Sequence, residues 1–116
     1  MKKFILIITF LISGCSENIS HYYPTYQDAS EHQLFVRGWL PNILPESTTE
    51  INVNNDLDLD VSTGSFVIAK HDLTTFVSQL TPINNRRRFF EYSLGRSRWT
   101  FEIEENGLVS YILSTN

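Results

Sequence analysis

Trp99-Thr100-Phe101-Glu102-Ile103-Glu104-Glu105-Asn106-Gly107-Leu108-Val109-Ser110-Tyr111-Ile112-Leu113 reads as a β-hairpin from end to end. Apolar and polar side chains alternate strictly from Trp99 to Glu104, the period of a strand with one covered face. Asn106-Gly107 is the dipeptide favoured in two-residue hairpin turns, and Leu108 to Leu113 returns along the partner strand. A turn of that length puts Trp99, Phe101 and Ile103 on one face with Leu108 and Ile112, and turns Glu102 and Glu104 outward. Such an apolar face needs a cover.

Upstream segments supply it. Phe89 to Leu94 is a further strand candidate, preceded by a loop holding Arg86-Arg87-Arg88. Gly64-Ser65-Phe66-Val67-Ile68-Ala69-Lys70 is aromatic and β-branched after a turn residue, which predicts a buried strand. Asp72 is placed to cap a helix over Leu73 to Leu80, with Leu73, Phe76, Val77 and Leu80 at helical spacing and Pro82 closing it. Thr49 to Asn54 suits a strand, after one helical turn at Glu46 to Glu50. Earlier still, Thr25 with Asp28 three residues on marks a helix start, Tyr26 to Val36 follows, and Gly38 is placed to stop it. Between these elements Trp39-Leu40-Pro41 and Leu44-Pro45 form a stiff connection, because each proline fixes its own φ and restricts its predecessor. The expected architecture is α+β: a single domain over residues 24–116, with two short helices on an antiparallel sheet of about four strands.

The N-terminus has a different character. Met1-Lys2-Lys3, the apolar run Phe4 to Ile12 and Ser13-Gly14-Cys15 have the charge, length and small residues of a signal peptide, and the run is too short to span a bilayer. Ile12-Ser13-Gly14-Cys15 resembles the lipobox of bacterial lipoproteins, which implies cleavage after Gly14 and a lipid on Cys15. Cys15 is the only cysteine of the 116 residues, so an intramolecular disulfide is excluded. Residues 1–14 are thus expected to be a signal peptide and 15–23 a lipidated cysteine with its tether. By resemblance to known sorting signals, Ser16 after the cysteine favours an outer membrane, with the domain facing the periplasm.

Charge narrows the choice of partner. The chain carries 9 Lys and Arg against 13 Asp and Glu, a net −4, and loss of Lys2 and Lys3 with the signal makes the mature balance −6. An acidic domain disfavours nucleic acid and bare anionic lipid. Its one basic cluster, Arg86, Arg87 and Arg88 beside Phe89-Phe90, suits phosphate or carboxylate recognition, and Trp39 is the aromatic candidate for a contact surface, with Tyr22 and Tyr23. Asp56, Asp58 and Asp60 alternate like the opening of a calcium loop, but Val61 and Val67 stand where that loop needs Gly and a bidentate Glu, so no metal is assigned. His21, His32 and His71 lack zinc spacing, no cofactor fingerprint is present, and no nucleophile-elbow pattern surrounds any serine.

Tyr23-Pro24-Thr25-Tyr26-Gln27-Asp28-Ala29, then Arg37-Gly38-Trp39-Leu40-Pro41-Asn42-Ile43-Leu44-Pro45, then Ile51 to Asp58 carry a likeness to a known group. The pattern resembles small bacterial lipoproteins with a YbbD-type head domain. The resemblance covers about residues 23 to 70, implies an envelope lipoprotein and implies no particular activity. The functional expectation is a lipid-anchored, non-enzymatic envelope protein, bound to the membrane through Cys15, whose domain binds another protein or an envelope polymer. Two alternatives stand beside it. One is an inhibitor or immunity lipoprotein against a cationic enzyme or toxin, suggested by the acidic balance. The other is a small hydrolase using His71 with a nearby carboxylate.

Overall fold

The structure, a computed structural model, describes residues 18–56 and 61–115. Cys15 and the expected signal peptide lie outside the described residues, as do Leu57, Asp58, Leu59 and Asp60. In chain order the elements are β1 (Asn18–Thr25), α1 (Tyr26–Glu31), β2 (Thr49–Asp56) and β3 (Val61–Val67), then α2 (Lys70–Ser78), β4 (Thr81–Pro82), β5 (Phe89–Leu94), β6 (Ser97–Ile103) and β7 (Leu108–Thr115). All seven strands join one antiparallel sheet in the order β1-β2-β3-β7-β6-β5-β4. The α+β class and the two helices agree with the sequence reading. Four strands was too few.

The missing strands are the polar ones. Asn18–Thr25 pairs with β2 from Asn18↔Asp56 to Thr25↔Thr49, so the fold starts inside the segment expected to be a tether, and the expected boundary at Pro24 falls within a strand. Tyr23, taken for an exposed aromatic, is in the core. The third strand runs over Val61–Val67 rather than Gly64–Lys70. After Val61 it continues with Ser62 and Thr63, which pair in the ladder without carrying an apolar signal, and Ser62 is fully buried.

The helices begin as their sequences suggest and end differently. Thr25 caps α1, its hydroxyl accepting from the Asp28 amide at 3.1 Å and donating to the Asp28 carboxylate at 2.9 Å. The helix stops at Glu31, short of Val36. Gln33 takes a φ of +61°, its amide reaches Ser30 O and the Leu34 amide reaches Ala29 O, which is a Schellman closure with buried Leu34 over buried Ala29. A second closure of the same kind follows at Gly38, φ +85°, through Gly38 to Phe35 O and Trp39 to Leu34 O. Val36 is consequently 85% exposed instead of lining a helical face. α2 starts at Lys70 with Ala69 at its cap. Asp72, expected as the cap, sits in the first turn and accepts the Ser47 hydroxyl at 2.6 Å.

The C-terminal hairpin is present, but its register is one residue off the expectation. Ile103 pairs with Val109 and Trp99 with Leu113, leaving Glu105-Asn106-Gly107 as a three-residue loop with Gly107 at φ +97°. One extra loop residue flips the returning strand. Val109, Tyr111 and Leu113 therefore join Trp99, Phe101 and Ile103 in the core, while Ile112 is exposed.

The core lies on one face of the sheet, under α1, the 32–48 connection and α2. Phe76 of α2 meets Phe66 and Phe101 edge-on at 6.1 and 5.5 Å, and Tyr111 lies against both phenylalanines. Each such fully buried side chain contributes about 2–3 kcal/mol of apolar burial. Leu40 and Pro41 are fully buried, and the Trp99 indole donates to the Trp39 carbonyl at 3.0 Å, which ties the connection to β6. The other face of the sheet carries Asn52, Asn54, Thr63, Ser65 and Ser110, as expected of an antiparallel sheet with one face uncovered. Among the described residues no helix is long and apolar enough to cross a membrane.

Strand polarity gives the sheet two distinct ends. The start of β1, the β2–β3 connection, the β5–β6 turn and the end of β7 share one end, through the pairs Asn18↔Asp56, Ser62↔Leu113, Ser97↔Thr115 and Leu94↔Ser97. The β6–β7 loop, the start of β5 and β4 share the other, through Val67↔Leu108, Ile103↔Val109, Phe89↔Glu102 and Pro82↔Phe90.

Candidate functional site

The arginine cluster occupies the end of the sheet opposite the start of β1. After β4 the chain turns through Asn85, at φ +64°, and is fastened on both sides: Ile83 N–H to Phe89 O, Arg86 N–H to Ile83 O, and Ile103 N–H to Arg88 O at 2.9 Å. The backbone of the loop is thus fixed to β5 and β6. Its side chains remain exposed. Arg86 stacks over the Phe89 ring at 4.1 Å, a cation–π contact. Arg88 approaches Glu102 at 3.8 Å, and with both groups well exposed this pair contributes little. Arg87 makes no ion pair among the described residues.

Two adjoining concavities meet at these arginines. One, of about 460 Å³, has an apolar floor of Leu73 and Val77 from α2, Phe90 from β5 and Ile103 from β6, with Arg87, Arg88, Glu104 and Glu105 at its lip. The other, of about 760 Å³, lies between Arg86, Arg87, Arg88, Phe89 and Glu105. Together they make a groove that is apolar at the bottom and charged at the rim, the distribution found at contact surfaces. The sequence pointed to the three arginines but not to their apolar floor. Leu73 and Val77 are marked in the sequence only by their helical spacing and Ile103 by strand alternation. Ile103 is in the core, Leu73 and Val77 are partly buried against it, and all three line the gap between α2 and the hairpin tip.

Trp39 does not join this site. It is half-buried in the connection after α1, towards the other edge of the sheet, where it lines a separate hollow against β1 and β2. His71 lies near Asp72, Nε2 to Oδ2 at 3.4 Å, with its side chain 80% exposed. Ser47 gives its proton to the same carboxylate rather than to the imidazole. The three side chains are neighbours, but the order is not that of a relay in which a histidine activates the hydroxyl. Among the described residues no group of three or more His, Cys, Asp or Glu side chains is placed to hold a metal ion, and Asp58 and Asp60 fall outside them.

Two tyrosines have perturbed hydroxyls. Tyr22, on the edge strand, is raised above its ordinary range by its hydrogen bond to Glu50. Burial raises Tyr111 much further, and neighbouring Ser62 offsets this only in part. The Tyr111 hydroxyl lacks a partner in good hydrogen-bond geometry, since Ser62 donates to Asn55 Oδ1 at 2.6 Å.

The fold and groove define a small α+β domain with an antiparallel sheet covered on one face and a charged-rim cleft at one end. Its N-terminal part has a family likeness: residues 17–67 match the family model of the YbbD head domain, which supports a YbbD-type head domain in this stretch. The match takes in β1, α1, the Arg37–Pro45 connection, β2 and β3, and stops at the last residue of β3. The arginine groove belongs wholly to the part that follows. Comparison of the chain with curated proteins and with solved structures gave no match.

Proposed function

We propose that this chain is a bacterial envelope lipoprotein, held at the outer membrane by a lipid on Cys15, whose domain is a non-enzymatic binding module for another protein or an acidic envelope polymer. The observation that carries the reading is the polarity of the sheet. β1 starts at Asn18, so only Ser16 and Glu17 separate Cys15 from the fold, a reach of at most about 11 Å when fully extended. A lipid there holds the β1 end against the bilayer. The groove lined by Leu73, Val77, Phe90 and Ile103, with Arg86, Arg87 and Arg88 at its rim, then faces away from the membrane, where a partner can reach it. Arginine beside aromatic rings presents a planar donor fork to carboxylate or phosphate, and the apolar floor supplies the area such a contact needs.

A photo-reactive residue placed in living cells at Thr74, on the groove, or at Asn52, on the uncovered sheet face, tests this. Adducts are expected from Thr74 and not from Asn52, and joint replacement of Arg86, Arg87 and Arg88 by Gln should abolish them. Equal adducts from both positions, or adducts indifferent to the arginines, would remove the groove from consideration.

A further inference from the structure

The hollow against β1 and β2 is separate from the groove and built differently. It encloses about 310 Å³, at the lower end of the range for small-molecule pockets. Tyr23, Leu34 and Val53 are buried at its base. Asn55 also reaches it and is only 7% exposed. The Ser62 hydroxyl donates to Asn55 Oδ1, which orients the amide and leaves its NH2 as the group that serves other partners. Arg37 and Trp39 form the rim, delivered there by the left-handed turn at Gly38 between them.

Charge marks this hollow out. The chain is acidic, net −4, yet no Asp or Glu is among the described residues lining the pocket. Arg37 is exposed, and its guanidinium has neither an ion pair nor a hydrogen bond among the described residues. His21, stacked on Tyr23 at 6.1 Å, is the other ionisable group at the mouth. A guanidinium without an ion pair among the described residues, lining one hollow with two aromatic rings and an oriented buried amide, is complementary to an anion on a compact body.

We infer that this pocket binds a small carboxylate carried on a ring or short apolar body. The Arg37 fork takes the carboxylate by paired charge-assisted hydrogen bonds, Trp39 and the pocket-lining edge of Tyr23, itself held between His21 and His32, cover the body, and Asn55 donates to an oxygen deeper in. The inference does not rest on the arginine groove or on the anchor. Its ligand, its residues and its edge of the sheet are all different.

The test uses the full chain in detergent, with phenylacetate, cyclohexanecarboxylate and glucuronate as probes beside their neutral counterparts phenylacetamide, cyclohexanecarboxamide and glucose. Backbone amide shifts in a nitrogen-15 spectrum report the site. At least one carboxylate should saturate with a Kd of about 1 mM or tighter, moving the amides of His21, Arg37, Trp39 and Asn55. Its neutral counterpart should bind about tenfold more weakly or worse, as expected when charge-assisted bonds are lost. Arg37→Gln should weaken binding by a similar factor, whereas Arg98→Gln, which removes the same charge on β6, should not. Failure of every carboxylate to saturate, equal binding of the neutral probes, or equal effects of the two substitutions would each overturn the inference.

Discussion

Gln33 holds a left-handed conformation that an L side chain adopts at a cost of about 1–2 kcal/mol, and it does so because Leu34 and Ala29 are buried together by the turn it makes. Such a residue cannot be read from sequence, since the usual marker is glycine and the nearest one, Gly38, closes the next turn. The Thr25 cap was legible because donor and acceptor lie three residues apart; Asp72 was not, because its partner Ser47 is 25 positions away. Tyr111 extends the same point to energetics. Its hydroxyl is buried without a well-aligned partner, so Tyr111→Phe removes no good hydrogen bond and should change stability at neutral pH by no more than about 1 kcal/mol. At alkaline pH the two proteins should separate. The folded phenol holds its proton above the ordinary range, so its contribution is complete below the unfolded value near 10, begins to fall as pH rises above that value, and is fully lost only above the raised folded value. Urea midpoints between about pH 8 and pH 11 should fall for the wild type and fall less for Tyr111→Phe. Parallel curves would show that Tyr111 is not the titrating group.

Among the elements, the β6–β7 hairpin shows where local pattern stops being sufficient. Alternation from Trp99 to Ile103 located the strand and its inner face correctly. The Asn106-Gly107 signal pointed to a two-residue loop where the structure has three, and that difference inverts every side chain of β7. Tertiary contacts settle it: the Gly107 carbonyl accepts the Ile68 amide at 2.8 Å, a contact made at the end of β3 and absent from any hairpin considered alone. The same contact makes Gly107 intolerant of a side chain. Its φ is +97°, and an added Cβ would run into the Ile68 carbonyl. Gly107→Ala should therefore cost about 2–3 kcal/mol, seen as a lowered chemical-denaturation midpoint with unchanged slope. Asn106→Ala, which only loses the cap from its Oδ1 to the Leu108 amide at 3.0 Å, should cost about 1 kcal/mol. Equal effects would mean that the backbone conformation at Gly107 is not the constraint.

For the whole molecule, what the sequence concealed was which strands are neighbours. β3 pairs with β7 across the intervening α2, β4, β5 and β6, and polar β1 closes the far edge, so nothing in local composition reveals that the start of β1 and the arginine loop lie at opposite ends of one sheet. The arginines were legible as a cluster and Trp39 as an unusual aromatic. Their separation into two sites required the topology. That topology also gives the proposed anchor its mechanical meaning, because a lipid on Cys15 would be joined to β1 through only Ser16 and Glu17. Replacing Cys15 by Ser should remove the acyl acceptor, leave unprocessed precursor, and abolish incorporation of a fatty-acid analogue in metabolic labelling. The domain should stay folded, because β1 and its pairing with β2 begin at Asn18. Inserting a flexible stretch of about ten residues after Glu17 should leave labelling intact while freeing the domain to tumble, reaching about 17 Å root-mean-square from its anchor. A biotinylating reagent confined to the membrane surface should then modify Lys70, which opens α2 just after β3 at the β6–β7-loop end of the sheet, more readily in the lengthened protein than in the wild type. Equal labelling of wild type and Cys15→Ser by the fatty-acid analogue would overturn the anchor. Equal modification of Lys70 in the wild type and the lengthened protein would overturn the orientation while leaving the anchor standing.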